Sequence, residues 1–159
     1  MAPSVRFVDT SVLCNILRVP GRDQDHEAVL CQLSTLHQEK ASLLIPAAAV
    51  VETGNHISHV HNGHERREAA ARFEWTLRQT IENTAPWQLN DARWGAVFLA
   101  DLCDGCGTGA PLTQRVTTND VGVGDLTILA EAAQYRARSQ LSDVRIWTTD
   151  SRLDAYNPA

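Results

Sequence analysis

Four acids in this chain stand where an apolar run turns polar, or inside runs that leave an acid little access to water. Asp9 ends the strand-like Val5-Arg6-Phe7-Val8 and is followed by two hydroxyls, Thr10 and Ser11. Glu52 interrupts an Ala/Val run that follows Ile45-Pro46, Asp125 follows Gly124 at the head of an apolar helical pattern, and Asp150 closes Val144-Arg145-Ile146-Trp147-Thr148-Thr149. Each acid has a structural explanation of its own: Asp9 and Asp125 as helix N-caps, Glu52 as a buried acid with a partner. Brought to one place, however, carboxylates repel and raise one another's pKa unless a cation neutralises them. Hard oxygen ligands suit Mg²⁺ or Mn²⁺. Such an ion supplies a nucleophilic hydroxide and stabilises phosphoryl oxygens during in-line hydrolysis.

Whether the acids converge depends on the elements that carry them. Val5–Val8 reads as a buried strand, and Val12, Leu13, Ile16 and Leu17 recur at the spacing of a helix's inner face. Thr10 or Ser11 is expected to cap that helix. Val19-Pro20-Gly21 is a stop, and a second helix is expected over 23–39 with Ala28, Val29, Leu33 and Leu36 on its apolar side. Residues 42–46 read as a strand closed by Pro46, and a helix from Ala47 carries Glu52 about two turns in. Asn62-Gly63 is a turn before a helix over 65–82 with Ala69, Ala70, Phe73, Leu77 and Ile81 inside. A short strand at 86–89 precedes a helix capped by Asn90 or Asp91 and bearing Trp94, Val97, Phe98 and Leu102. The Gly-rich stretch 104–124 carries no assignable element; Asp125 opens a helix with Leu126, Ile128, Leu129, Ala132 and Ala133 inside, and 144–148 is the last strand. Strands separated by helices require crossovers, hence an α/β fold with a mainly parallel sheet covered on both faces, in one domain over 1–159. Asp9 and Asp150 then emerge at the carboxyl edge, where open α/β sheets bind ligands.

Composition agrees with a globular protein: 159 residues, 43% hydrophobic and 21% charged, with a formal net charge of −5. That charge excludes a generally basic nucleic-acid binder. Of the fourteen basic residues all but Lys40 are Arg, the side chain better suited to phosphate oxygens. No secretory or membrane-spanning pattern is present, which makes a cytoplasmic protein the expectation. The four cysteines do not make a disulfide scaffold; Cys14 and Cys31 are expected to be small core residues.

The ordered set FVDTSVL, IPAAAVVE, GVGDLTILAEA and IWTTD resembles the successive acidic motifs of the PIN-domain ribonucleases, in particular the VapC-type toxins of bacterial toxin–antitoxin pairs. The likeness spans nearly the whole chain. It implies a three-layer α/β/α sandwich and an endoribonuclease dependent on Mg²⁺ or Mn²⁺. Asp9, Glu52, Asp125 and Asp150 would be metal ligands and catalytic acids, with Thr10, Ser11 and Thr148 in support. It further implies an antitoxin partner and a homodimer. Two departures stand out: family members usually continue into a further strand, whereas nine residues follow Asp150, and the region before Asp125 is long and contains Asp120, an additional carboxylate. Asp125 is preferred because the run after it has the family's apolar pattern. The alternative is a non-catalytic PIN-like module that binds RNA or protein.

Other signals are weaker. Cys103-Asp104-Gly105-Cys106 has CxxC spacing, but a zinc site would need His56, His59, His61 or His64 as partners. A surface His cluster and an incidental Cys pair are the preferred reading. Arg66, Arg67, Arg72 and Arg78 read as a solvated helix face with Glu65, Glu68 and Glu74 interleaved, ahead of phosphate contacts. Asp9-Thr10-Ser11 resembles an aspartyl-phosphate phosphatase motif, but Ser11 stands where its second Asp is needed. No phosphate loop of the GxxxxGK[ST] type occurs.

Overall fold

The structure, a computed structural model, describes residues 3–158. Four strands form its centre: β1 (Val5–Val8), β2 (Ser42–Ile45), β3 (Gln88–Leu89) and β4 (Val144–Trp147), in the order β3-β2-β1-β4. Every neighbouring pair is parallel. Helices supply the crossovers: α1 (Thr10–Ile16) and α2 (His26–Gln38), then α3 (Ala47–Ser58) and α4 (Gly63–Ile81), then α5 (Ala96–Cys103), α6 (Leu112–Thr118) and α7 (Val123–Ser139). A short α8 (Ser151–Asp154) follows β4. The all-parallel sheet flanked by these helices is a three-layer α/β/α sandwich, as the crossover argument predicts.

The strand order fixes where a ligand crevice belongs. The chain steps outward from β1 to β2 to β3, then returns to place β4 on the other side of β1. Order therefore reverses between β1 and β4, the position where adjacent loops part and leave a crevice at the carboxyl edge. The two strands run in register from Val5 opposite Val144 to Val8 opposite Trp147, and Asp9 N–H extends the ladder to the Trp147 carbonyl at 3.0 Å. Asp9 and the Thr148–Asp150 turn thus leave the sheet side by side.

Both faces of the sheet are covered, which is why the neighbours Phe7 and Val8, and Leu43, Leu44 and Ile45, are all buried without alternation. Phe7, Val8, Ile45 and Ile146 pack with Val12, Leu126, Ile128 and Leu129 in one core. Phe7 is fully buried with Tyr135 edge-on at 5.7 Å. A smaller cluster of Cys14, Leu17, Val19, Ile57, Val60 and Ala69, with Phe73 against it, clamps α1, α3 and α4 together. That clamp fixes the face of α3 turned toward α1, and so the position of Glu52.

Several local expectations need correction. The α1 cap is Asp9 itself, not Thr10 or Ser11: its carboxylate accepts the Ser11 N–H at 3.2 Å. Neither Asn90 nor Asp91 caps α5, which begins after Gly95. Asn90 is occupied elsewhere, its N–H bonded to the Ile45 carbonyl and its side chain to Glu131. The 104–124 stretch hides α6, invisible to an apolar-period search because Leu112–Thr118 buries no residue. Cys14 is buried but Cys31 is exposed, since α2 turns only Val29 fully inward. Ala28, Ala70, Ile81 and Ala133 are exposed likewise. The α4 arginines are not a simple solvated face. Arg66 donates to the Val60 carbonyl and Arg72 to those of Leu17 and Arg18, tying α4 to the ends of α3 and α1, while Arg78 pairs with Glu74.

Past β4 and α8 the chain folds back onto its last strand. Asn157 reaches back, its amide accepting from the Ile146 N–H at 2.6 Å and donating to the Ile146 carbonyl at 2.9 Å. One side-chain amide thereby satisfies edge groups of β4 that a neighbouring strand would otherwise pair. Among the described residues no helix is long and apolar enough to cross a membrane.

Candidate active site

Asp9, Glu52, Asp125 and Asp150 line one cleft of about 370 Å³ at the carboxyl edge of β1 and β4. Asp9 is its anchor. At 3% exposure it is nearly out of water, and one oxygen, Oδ2, accepts three hydrogen bonds: the Ser11 N–H at 3.2 Å, the Ser11 hydroxyl at 2.6 Å and the Thr148 hydroxyl at 2.8 Å. The other oxygen, Oδ1, is buried and has no hydrogen-bond partner. A buried carboxylate oxygen left without a donor costs about 1–3 kcal/mol, more when charged, so this atom is a place where a cation is favoured.

The hydroxyls around Asp9 join the two loops. Ser11 Oγ accepts the Thr149 N–H at 3.0 Å, and Thr148 Oγ1 accepts the Asp150 N–H at 2.9 Å. The β1–α1 and β4–α8 turns are therefore one hydrogen-bonded unit. Thr10 serves the third acid: its hydroxyl donates to Glu52 Oε2 at 2.8 Å. Thr10, Ser11 and Thr148 each orient an acid or the loop beside it. Asn15, an uncharged residue inside an apolar helical pattern with no signal of its own, also lines the cleft. Its carbonyl oxygen Oδ1 accepts the Asp25 N–H at 2.8 Å, holding the loop that leads into α2.

Glu52 and Asp125 meet through a glycine. A Cβ built on Gly124 would lie 1.9 Å from Glu52 Oε1 and 2.2 Å from its Cδ. Only a residue without a side chain lets the Glu52 carboxylate rest against the first turn of α7, where the helix dipole presents its positive end. One residue on, Asp125 accepts the Gly122 N–H at 3.3 Å, as the third residue of the helix and not as its N-cap. Burial pushes the Asp125 carboxyl up to about 6, with Asp9, Glu52 and Asp150 adding repulsion. Asp150 is shifted the other way. Arg152 grips it through Nη2 at 3.1 Å and Nε at 3.3 Å and holds its carboxyl below the ordinary value. Asp120 does not line the cleft; it is bound to Arg115 at 2.8 Å and Thr118 at 2.8 Å.

The raised Asp125 pKa has a signed consequence for stability. Between the ordinary value of 3.8 and about 6, the unfolded chain ionises this carboxyl while the folded chain keeps its proton, so rising pH removes stability. In chelator, Asp125→Asn is expected to leave the melting temperature unchanged near pH 3.5 and raise it by about 2–4 °C above pH 6. Thermal denaturation across pH 3.5–8 measures the gap; a gap that does not widen with pH would mean that the Asp125 carboxyl is not raised by its burial and its neighbours.

As they stand, no three or more His, Cys, Asp or Glu side chains among the described residues are gathered tightly enough to hold a metal ion. Each of the four acids is engaged within the chain: Asp9 by Ser11 and Thr148, Glu52 by Thr10, Asp125 by the Gly122 N–H and Asp150 by Arg152. The orphaned Asp9 oxygen and the gap that Gly124 leaves for Glu52 are nonetheless what a hard cation would need. No protein-family model matches this chain, and no curated protein matches it.

Proposed function

We propose that this protein is a Mg²⁺- or Mn²⁺-dependent endoribonuclease that hydrolyses RNA phosphodiester bonds. The observation that carries the reading is the buried, unpartnered Asp9 Oδ1 in a cleft lined by three further acids at the β1/β4 switch point. Asp9, Glu52, Asp125 and Asp150 would hold the ion, which when bound supplies an activated water and stabilises phosphoryl charge. The protein's own part is positional. Ser11 and Thr148 fix Asp9, Thr10 fixes Glu52, and Gly124, lacking a Cβ, lets the Glu52 carboxylate sit against α7. The ordered motif resemblance supports the further proposals of a cytoplasmic toxin, a homodimer and an antitoxin. A cationic antitoxin tail would relieve the same repulsion as a metal and so compete with it for the cleft.

Total cellular RNA incubated with purified protein tests this reading. Cleavage is expected with Mg²⁺ or Mn²⁺ and none with chelator. No cleavage of any RNA species, together with no Mn²⁺ binding by calorimetry, would leave only a non-catalytic module that binds RNA or protein. Arg152 offers a further check, because its guanidinium occupies the Asp150 oxygens that a metal would take. Exposed pairs of this kind contribute about 0–1 kcal/mol, so Arg152→Ala is expected to tighten Mn²⁺ binding by about two- to fivefold. Weaker binding would show that Arg152 positions Asp150 for the ion and does not compete with it.

A further inference from the structure

A second groove of about 590 Å³ opens beside the acidic cleft, and the two share a wall made by Arg22 and His56. His59 and His61 line the groove further out, and Glu65 stands on its rim. The geometry follows from α3. Glu52 and His56 are four residues apart on this helix, one above the other on the same face, so α3 runs from the acids into the groove. His59, at its C-cap, spends Nδ1 on the Asn55 carbonyl at 2.6 Å and keeps Nε2 for another partner. The Arg22 guanidinium forms no salt bridge among the described residues, unlike those of Arg6, Arg78, Arg115, Arg145 and Arg152. A protein with net charge −5 thus places an uncommitted cation and three imidazoles directly beside its acidic cleft.

We infer that this groove is a binding subsite for a single-stranded stretch of polynucleotide flanking the phosphate at the acids, with Arg22 on a backbone phosphate and His56, His59 and His61 stacking on or donating to unpaired bases. The inference rests on the nuclease reading for the identity of the strand. Its chemistry is independent of metal. A strand held at four carboxylates needs a cation where it leaves them, and Arg22 is the arginine that lines both cavities. Imidazole rings suit splayed bases, the usual target of single-strand recognition, and not the deep groove of a duplex.

The test measures binding by fluorescence anisotropy, with a labelled mixed-sequence twelve-nucleotide single-stranded RNA in chelator, over a range of salt. Wild type is expected to bind, Arg22→Ala to bind about tenfold more weakly, and its salt slope to fall by about 0.7, the value of one phosphate contact on a single strand. The triple variant His56→Gln, His59→Gln, His61→Gln is expected to lose about tenfold with little change in slope, as stacking carries no counterion release. Arg138→Ala, at the far end of α7 and bonded to the Asp91 carbonyl, is the control and should change neither. Unchanged affinity and slope in both groove variants would overturn the inference even if the wild type cuts RNA. So would a wild type that binds no RNA, or one zinc per chain that the triple-His variant loses. Loss of metal-dependent cleavage is not read in this experiment, so the nuclease reading can fail while the groove stands.

Discussion

Asp9→Asn is expected to reduce metal-dependent RNA cleavage by about a hundredfold or more, the scale seen when a key electrostatic group is lost from an active site. The substitution is nearly isosteric. The Asn carbonyl oxygen can still accept from Ser11 N–H, Ser11 Oγ and Thr148 Oγ1, so the join between the β1 and β4 loops survives. What changes is the second oxygen: the unpartnered acceptor Oδ1 becomes an NH₂ group that repels a cation. Mn²⁺ affinity should therefore fall with activity, while the metal-free melting temperature holds or rises because one of four mutually repelling charges is gone. RNA affinity should change little or tighten. Single-turnover cleavage, Mn²⁺ calorimetry and thermal denaturation on the same preparation separate these effects. A variant that cuts like wild type would remove Asp9 from the chemistry and the nuclease reading with it. A variant that is inactive because it is unfolded would show instead that the charge holds the loops.

Much of this arrangement was legible in the residues because strand ends are written in simple patterns. Val5–Val8 and Val144–Trp147 are short apolar runs that stop at polar residues, and a parallel sheet puts such stops on one edge. Both strands appear where the runs predict them, and Asp9 and Asp150 leave the sheet together. Capping was harder to read, since acid and hydroxyl compete for the same role. Asp9 caps α1 with its Oδ2 while Oδ1 stays free, so the structural role leaves an acceptor over for the proposed functional one. The helix in 104–124 was out of reach because α6 has no buried face to leave a period. It is held by Arg115, which donates to Thr108 and Asp120, and by the turn at Gly105, where an added Cβ would strike the Ala110 carbonyl. Those contacts are short-range polar and backbone ones, which leave no apolar period.

Gly124 is the residue whose role the sequence hid, and its replacement should separate stability from function. Alanine at the second position of a helix is favoured over glycine by up to about 1 kcal/mol, so Gly124→Ala should stabilise α7 if nothing stood in the way. What stands in the way is the far end of one flexible side chain, the Glu52 carboxyl. That group can swing aside by rotating its own bonds, at the cost of its hydrogen bond from Thr10. The fold is therefore expected to survive with a melting temperature equal to or slightly above wild type. Mn²⁺ affinity and cleavage are expected to fall about tenfold or more, because Glu52 is displaced from the first turn of α7 and from its neighbours in the cleft. A double-mutant cycle assigns the loss. In a Glu52→Gln background, adding Gly124→Ala should cost little further activity, since the carboxylate it displaces is already gone. Full activity in Gly124→Ala would mean that Glu52 has no fixed place in the reaction. A large drop in melting temperature would mean that the close approach is a packing requirement and not a device for holding a carboxylate, and additive losses in the cycle would point to the same conclusion.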